Sequence, residues 1–317
     1  MALKDEVLAL LSDAQGGYVS GERLAQAQNV TRAAVWKAVA ALRADGYAID
    51  SATNRGYALT KKPDILCAEE IEAALRAQGE TASVLCFPEL DSTNYEARRR
   101  ADGLSAPLLI VADRQTKGRG RGAHTFYSPG GAGLYMTLAY PRRLPLSGAA
   151  LCTQAAAVAT ARAISRAGGP ETDIKWVNDL YLGGKKVCGI LTEALSDMET
   201  GEATCLLIGI GVNLTTAAFP SEVALVAGAV GALPRNELCA GILSALLPLL
   251  RALPDVSWMD EYRQKCLTLG RKVTFVKDGE TTEAFAEALD DAGHLIVRLK
   301  DGAPLTLLGG EVSVRPE

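Results

Sequence analysis

Residues able to hold a polar, anionic ligand are concentrated in four strings between Asp91 and Asn213. The richest runs from Gln115 to Tyr135, where Gly118, Gly120 and Gly122 alternate with Arg119 and Arg121 and a second glycine cluster follows at Gly130, Gly131 and Gly133. Guanidinium groups fork onto carboxylate or phosphate oxygens, and backbone N–H groups on such a loop line a concavity for an anion. The same string also suits a mobile surface loop with solvated charges. Upstream, Asp91-Ser92-Thr93-Asn94 lies between a predicted strand and a predicted helix and is most simply a helix N-cap. Downstream, the string from Asp173 to Asp179 sets Lys175 in an apolar strand edge, where it needs an anion or a salt bridge to Asp173, Asp179 or Glu193. Gly209-Ile210-Gly211-Val212-Asn213 ends a strand in small residues that admit a ligand close to the backbone. It lacks the third glycine of a dinucleotide fingerprint, and no Walker A string occurs.

Composition narrows the chemistry further. Only two histidines, His124 and His294, occur in 317 residues, which disfavours a histidine-rich metal site and a histidine-based nucleophile triad. The seven cysteines have neither zinc-ligand nor redox spacing and fit reduced thiols in a cytoplasmic protein. The start, MALKDEVLALL, is acidic where a signal peptide is basic. The most apolar run, Leu238 to Leu250, is short of the ~20 residues that span a bilayer. No membrane association is expected. A net charge of −4 confines any nucleic-acid contact to a local patch.

The elements that must position these residues fall into three regions, at 1–62, 65–269 and 270–317. In the first, Leu3, Val7, Leu10 and Leu11 keep helical spacing, Ser20 caps a second helix and Thr31 caps a third reaching about Ala44. Two short helices and a tight turn over about 21–40 make a helix-turn-helix, and strands at Ala48–Ser51 and Ala58–Leu59 make a wing. Thr31, Arg32, Ala33, Trp36 and Lys37 at the start of the third helix, with Arg55 at the wing tip, are the candidate DNA contacts. Residues 1–62 hold eight Lys/Arg against six Asp/Glu, so the positive excess of +2 lies here and −6 falls on the remainder. A protein-interaction module without DNA is the alternative. Lys61-Lys62-Pro63-Asp64 is the expected linker.

The second region mixes strands (Ser83–Phe87, Leu108–Asp113, Leu134–Ala139, Asp173–Val177, Lys186–Ala194, Thr204–Val212) with helices at Ile71–Ala77 and Ala149–Ala167. That pattern predicts a mixed sheet covered by helices, within a multidomain α+β chain. From Arg271 the alternation becomes strand-like, with turns at Asp278-Gly279, Asp290–Gly293 and Asp301-Gly302, and predicts a small β-barrel.

Taken in order, D-S-T-N, Q-T-x-G-R-G-R with aromatic-x-S-P, K-W-x-N-D, G-I-L-x-E and G-x-G-x-N resemble the biotin protein ligases. The winged helix ahead of them resembles the bifunctional members that also repress biotin operons. The resemblance implies a biotin/lipoate-ligase type of central domain and an SH3-like C-terminal barrel. It implies Mg-ATP activation of biotin to biotinoyl-5′-AMP, then transfer to a lysine of a carboxyl-carrier domain. On the matching positions, Ser92, Thr93, Asn94 and Gln115 would bind biotin, and Arg119, Gly120 and Arg121 would wrap its carboxylate and the α-phosphate. Lys175 would offset transition-state charge beside Arg121, and Asn213 would lie near the nucleotide. Glu311 would touch nucleotide or acceptor, or serve as an exposed structural carboxylate. A ligand-favoured homodimer on a two-fold operator follows from the same resemblance. Two departures stand out: Gly122-Ala123-His124 and Phe126 replace an Arg-Gly-Arg and Trp common in relatives, and Val177 stands where proline is usual. Ligase activity alone, a ligand sensor without catalysis, and a lipoate-attaching enzyme remain the alternatives.

Overall fold

The computed structural model describes residues 3–61, 63–122, 124–145, 148–197, 200, 202–277, 280–309 and 313–316. Ala123, Asp278-Gly279 and Gly310-Glu311-Val312, all singled out above, lie outside the described residues. The chain divides into two compact units, one up to Ile65 and one from Leu66.

In the first unit, helices α1 (Leu3–Asp13), α2 (Gly21–Ala27) and α3 (Arg32–Ala44) precede an antiparallel ribbon of β1 (Ala48–Ala52) and β2 (Gly56–Lys61). Two expected caps are made: Ser20 Oγ accepts the Arg23 N–H at 3.1 Å, and Thr31 Oγ1 accepts the Ala34 N–H at 3.3 Å. Asn29 turns the chain between α2 and α3 with a φ of 50°, a conformation asparagine tolerates. Val35, Val39 and Leu42 of α3 pack with Val7, Leu11, Leu24 and Ile49 in one core, each fully buried side chain contributing about 1.5–3 kcal/mol. At the wing, a Cβ on Gly56 would lie 2.1 Å from Val19 O, so only glycine lets β2 cross the segment before α2.

The second unit is built on a seven-stranded sheet of order β3-β4-β5-β9-β8-β7-β6. Its strands are β3 (Ser83–Leu90), β4 (Leu108–Gln115), β5 (Gly133–Pro145), β6 (Asp173–Lys175), β7 (Asp179–Leu182), β8 (Lys185–Ser196) and β9 (Glu202–Asn213). Only β3 and β4 pair in parallel, as a crossover through α5 (Thr93–Arg100) permits. Both faces are covered. Leu109, Val111, Leu206 and Ile208 face the cluster that includes residues of α4 (Ala68–Ala77), α6 (Ala149–Arg166) and α8 (Arg235–Ala252). The alternating Leu108, Ile110, Cys205 and Leu207 face Ala97 of α5, which is why these strands are continuous apolar runs. Two shorter helices, α7 (Ser221–Val226) and α9 (Met259–Lys265), complete this part of the chain.

The strand expected over Asp173–Val177 stops at Lys175; the chain reverses through Trp176–Asn178, with a cis Trp176–Val177 peptide bond, into the unanticipated β7. A three-residue strand and its turn are too short for periodicity to resolve. The apolar run around Leu238–Leu250 is the buried helix α8, and no helix among the described residues is long and apolar enough to cross a membrane.

The C-terminal strands are β10 (Lys272–Lys277), β11 (Glu280–Leu289), β12 (Leu295–Leu299), β13 (Pro304–Leu307) and β14 (Ser313–Pro316). They form a five-stranded antiparallel sheet of order β13-β12-β11-β10-β14. Among the described residues β13 and β14 are edges without mutual pairing, so the expected barrel is present as an open sheet. Val273, Phe275, Leu295 and Val297 share the core of the large sheet and its helices, so this region folds onto the preceding one.

Candidate functional site

One cleft gathers most of the expected ligand-binding residues. It is lined by Ser92, Thr93 and Asn94 from the start of α5, Gln115 from the end of β4, and Arg119, Gly120, Arg121 and Phe126 from the glycine-arginine loop. Asn178, Lys186, Gly189, Gly209 and Gly211 complete its floor and far wall.

Ser92 occupies the N-cap position of α5, but its side chain makes no capping bond. Gln115 performs that task from the neighbouring strand, its Oε1 accepting the Thr93 N–H at 2.8 Å. The Gln115 amide then donates to Ser128 Oγ at 2.9 Å, and the Ser128 hydroxyl donates to Phe126 O at 2.9 Å, tying the loop's return to the helix start. Ser92 is 1% exposed and lines the cleft.

Beside it, the Thr137 hydroxyl donates to Asn94 Oδ1 at 2.7 Å and lies 2.8 Å from Thr93 Oγ1. Asn94 Nδ2 donates to Glu193 Oε2 at 2.9 Å. Arg119 Nη1 lies 2.9 Å from both oxygens of Glu193, and its guanidinium carbon is 4.8 Å from the Tyr95 ring centroid. Burial opposes ionisation of Glu193, but donation from Asn94 and Arg119 outweighs it and holds the carboxyl below the usual range. Arg121 donates to Asn178 Oδ1 at 3.3 Å and to Gly309 O at the end of the C-terminal sheet. Its burial lowers the guanidinium pKa, against the raising influence of Asp179, and the group remains a cation.

The loop is a short hairpin: Gly120 N–H donates to His124 O at 2.8 Å, and Phe126 N–H to Gly118 O at 2.9 Å. A Cβ on Gly118 would fall 2.2 Å from Phe126 O, so the turn requires glycine there. Gly209 and Gly211 of β9 both line the cleft and also stand close to side chains of the protein itself. A Cβ on Gly209 would lie 2.1 Å from Asn94 Oδ1, and one on Gly211 2.6 Å from the Phe126 ring. These glycines make room for the protein's own side chains.

Two expected residues lie elsewhere. Lys175 is not among the residues lining the cleft; its ammonium lies 5.5 Å from the Tyr181 ring centroid. Asn213 is also outside the lining, its Nδ2 donating to Gly228 O at 3.0 Å to hold the segment after β9. The lysine in the lining is Lys186, at the start of β8, with Nζ 2.7 Å from Asp179 Oδ1. Its signal was weak: Lys186 opens an expected strand next to Gly183-Gly184, where charge is ordinarily solvated. Glu193 was named as a partner for Lys175 and ends the G-I-L-x-E string.

In the first unit, Thr31, Arg32, Ala33, Trp36 and Lys37 are all exposed on α3, and Trp36 is 60% exposed. The Arg55 guanidinium stacks 4.2 Å from the Tyr18 ring centroid. Arg43 points inward, donating to Ile49 O at 2.6 Å, and ties the helix to the wing.

A helix-turn-helix unit beside a mixed-sheet domain with an arginine loop over a polar cleft defines a class found among known proteins. Residues 84–213 match the biotin/lipoate A/B protein ligase family, residues 4–58 a helix-turn-helix domain and residues 268–315 the biotin protein ligase C-terminal domain. The bifunctional ligase/repressor BirA of Bacillus subtilis is 36% identical over 69% of this chain and 68% of its own. The Escherichia coli bifunctional ligase/repressor BirA is 28% identical over 98% of this chain and 96% of its own. The structure of Aquifex aeolicus biotin protein ligase in complex with biotin and ATP superposes with a TM-score of 0.61 at 26% identity, covering 74% of this chain and 99% of that one. The chain belongs to the biotin protein ligase family.

Proposed function

We propose that this protein is a biotin–[carboxyl-carrier protein] ligase and a DNA-binding repressor of biotin genes. The observation that carries the ligase reading is the make-up of the cleft lining. It combines neutral directed groups, Ser92, Thr93 and Gln115, with the cations Arg119, Arg121 and Lys186. A ureido ring needs the first and a carboxylate meeting a phosphate needs the second. The related ligase that holds biotin and ATP supports the same pair of substrates here.

In the proposed reaction the biotin carboxylate attacks the α-phosphorus of ATP, and pyrophosphate leaves. The acceptor lysine amine then attacks the acyl carbonyl, and AMP leaves. In the first step the nucleophile is already an anion, so the protein supplies position and positive charge rather than a base; in the second the neutral amine attacks and releases a proton as the amide forms. Ser92, Thr93 and Gln115 hold the ring, with Asn94 backing them. Arg119 and Gly120 flank the slot, and Arg121 and Lys186 offset the charge that builds on the α-phosphoryl oxygens. Lys175, at the position matching the K-W-x-N-D string of the family, offsets the same charge, and Asn213 lies near the nucleotide. Among the described residues no group of three or more His, Cys, Asp or Glu side chains is arranged to hold a metal. Mg2+ would enter with the nucleotide, as part of the Mg-ATP substrate.

The winged helix would place α3 in the major groove, with Arg32, Trp36 and Lys37 toward bases and phosphates and Arg55 on the flanking backbone. Occupation of the cleft by the adenylate favours a homodimer, which matches a two-fold operator. The protein works in the cytoplasm. The deciding experiment supplies biotin, Mg-ATP and a biotin carboxyl-carrier domain and probes for covalent biotin. Biotinylation of the carrier lysine is expected; its absence with the fold intact overturns the ligase reading.

A further inference from the structure

We propose that Glu193 is a positioning residue for biotin: from behind the cleft its carboxylate fixes Arg119 and Asn94, and so sets biotin affinity without touching the reacting atoms. The inference rests on the ligase reading given above. Glu193 is on β8, 18% exposed at its side chain, and absent from the residues lining the cleft. Both of its oxygens are engaged by residues that do line it. Oε1 and Oε2 each lie 2.9 Å from Arg119 Nη1, and Oε2 accepts from Asn94 Nδ2 at 2.9 Å. Arg98 Nη2 adds a third donor, 3.3 Å from Oε1.

Each of these partners has a second restraint that the carboxylate completes. Asn94 Oδ1 accepts from the fully buried Thr137, so the amide's two ends face opposite partners and its orientation is determined. The missing Cβ at Gly209 lets the amide sit against β9, since a Cβ there would lie 2.1 Å from Asn94 Oδ1. Arg119 is held between the carboxylate and the Tyr95 ring, which aims the rest of its fork along the slot. The pairing also cancels the Arg119 charge. A neutral ureido group is then met by a locally neutral wall, and the net positive charge is left to Arg121 and Lys186. Removing Glu193 leaves Arg119 and Asn94 Nδ2 with unmatched donors in a partly buried site, free to turn into the slot.

The test measures biotin-dependent pyrophosphate release for the full-length protein and for Glu193→Gln and Glu193→Ala. The glutamine keeps the volume but sets an NH2 group against one of two donors, so folding is not the variable. In both variants the KM for biotin is expected to rise about 10- to 100-fold, as for other small misplacements of a binding group. The KM for Mg-ATP and the turnover at saturating biotin stay within about threefold, since no interaction unique to the transition state is lost. A biotin KM within twofold of wild type in Glu193→Gln overturns the positioning role. So does a parallel fall in turnover, both KM values and thermal midpoint, the signature of a merely structural carboxylate. Wild-type protein that releases no pyrophosphate with biotin rejects the ligase reading and this inference together; an active wild type with an indifferent Glu193→Gln rejects this inference alone.

Discussion

Gln115 Oε1 accepts the Thr93 N–H at 2.8 Å, so the first turn of α5 is capped from the end of β4 and not by the serine that precedes it. A serine at an N-cap ordinarily spends its hydroxyl on the helix. Here a strand residue takes over that bond, and Ser92 can face the cleft. The cap also links helix, strand and loop, because the same amide reaches Ser128.

Gln115→Ala removes the cap and leaves the Ser128 hydroxyl without its donor. The loss is expected to be about 1 kcal/mol, or a fall of a few degrees in the thermal midpoint of the ligase unit. Biotin affinity should drop as well, because Thr93 and Ser92 lose their common anchor. Calorimetry with and without biotin checks both parts, and an unchanged midpoint would show that the cap contributes nothing.

Arg121→Ala and Lys186→Ala should each slow adenylate formation about 100-fold or more, the usual cost of removing charge stabilisation from a transition state. Lys175→Ala should slow it as much, the role its K-W-x-N-D string implies. Pyrophosphate release in single turnovers checks all three variants, and unchanged release from Lys175→Ala removes that lysine from the reaction.

Trypsin cleavage after Arg119 and Arg121 is expected to fall on addition of biotin and ATP together. The hairpin is already held by Gly120 to His124 and by Phe126 to Gly118, so the change should be a slowing of cleavage. Equal protection without ligands would make this loop a fully preformed site.

Arg55→Ala should weaken promoter DNA binding about equally across sequences and lower the salt dependence by roughly one ion, as for a phosphate contact. Trp36→Ala should alter preference among operator variants, because an exposed ring on the recognition helix meets bases. Gel shifts over a salt series distinguish them, and indifference of both would favour a protein-interaction module.

Glu193 also ties stability to pH. Its folded-state pKa is depressed, so its contribution is complete above the unfolded value of ~4.3 and is lost as pH falls through the lower folded value. Below about pH 4.3 the wild-type unfolding midpoint should decline more steeply than that of Glu193→Gln, which has no proton to bind. Parallel curves in acid titrations followed by circular dichroism would place the acid sensitivity elsewhere.

Much of this was legible in residue order. Ser20 and Thr31 are caps because a hydroxyl accepts from the backbone three residues on, a local event. The apolar runs that predicted β4, β5 and β9 survive because each strand is long enough to show them. Four-residue β7, six-residue α7 and the break after Lys175 were hidden, since elements this short have no period to read. The glycine-arginine string pointed to an anion, but not to the hairpin that shapes it.

By itself, the sequence determined which chemistry was available: arginines, amides and hydroxyls in five ordered strings, two distant histidines, and a small cationic excess confined to the winged helix. Those are properties of composition and near neighbours. Only the tertiary structure showed that Lys186 joins the cleft lining, that Gln115 caps α5 in place of Ser92, and that Glu193 backs Arg119 across 74 positions of chain. Such relationships depend on strand register and on the side of the sheet each residue faces, and in a β-strand a shift of one residue reverses that side.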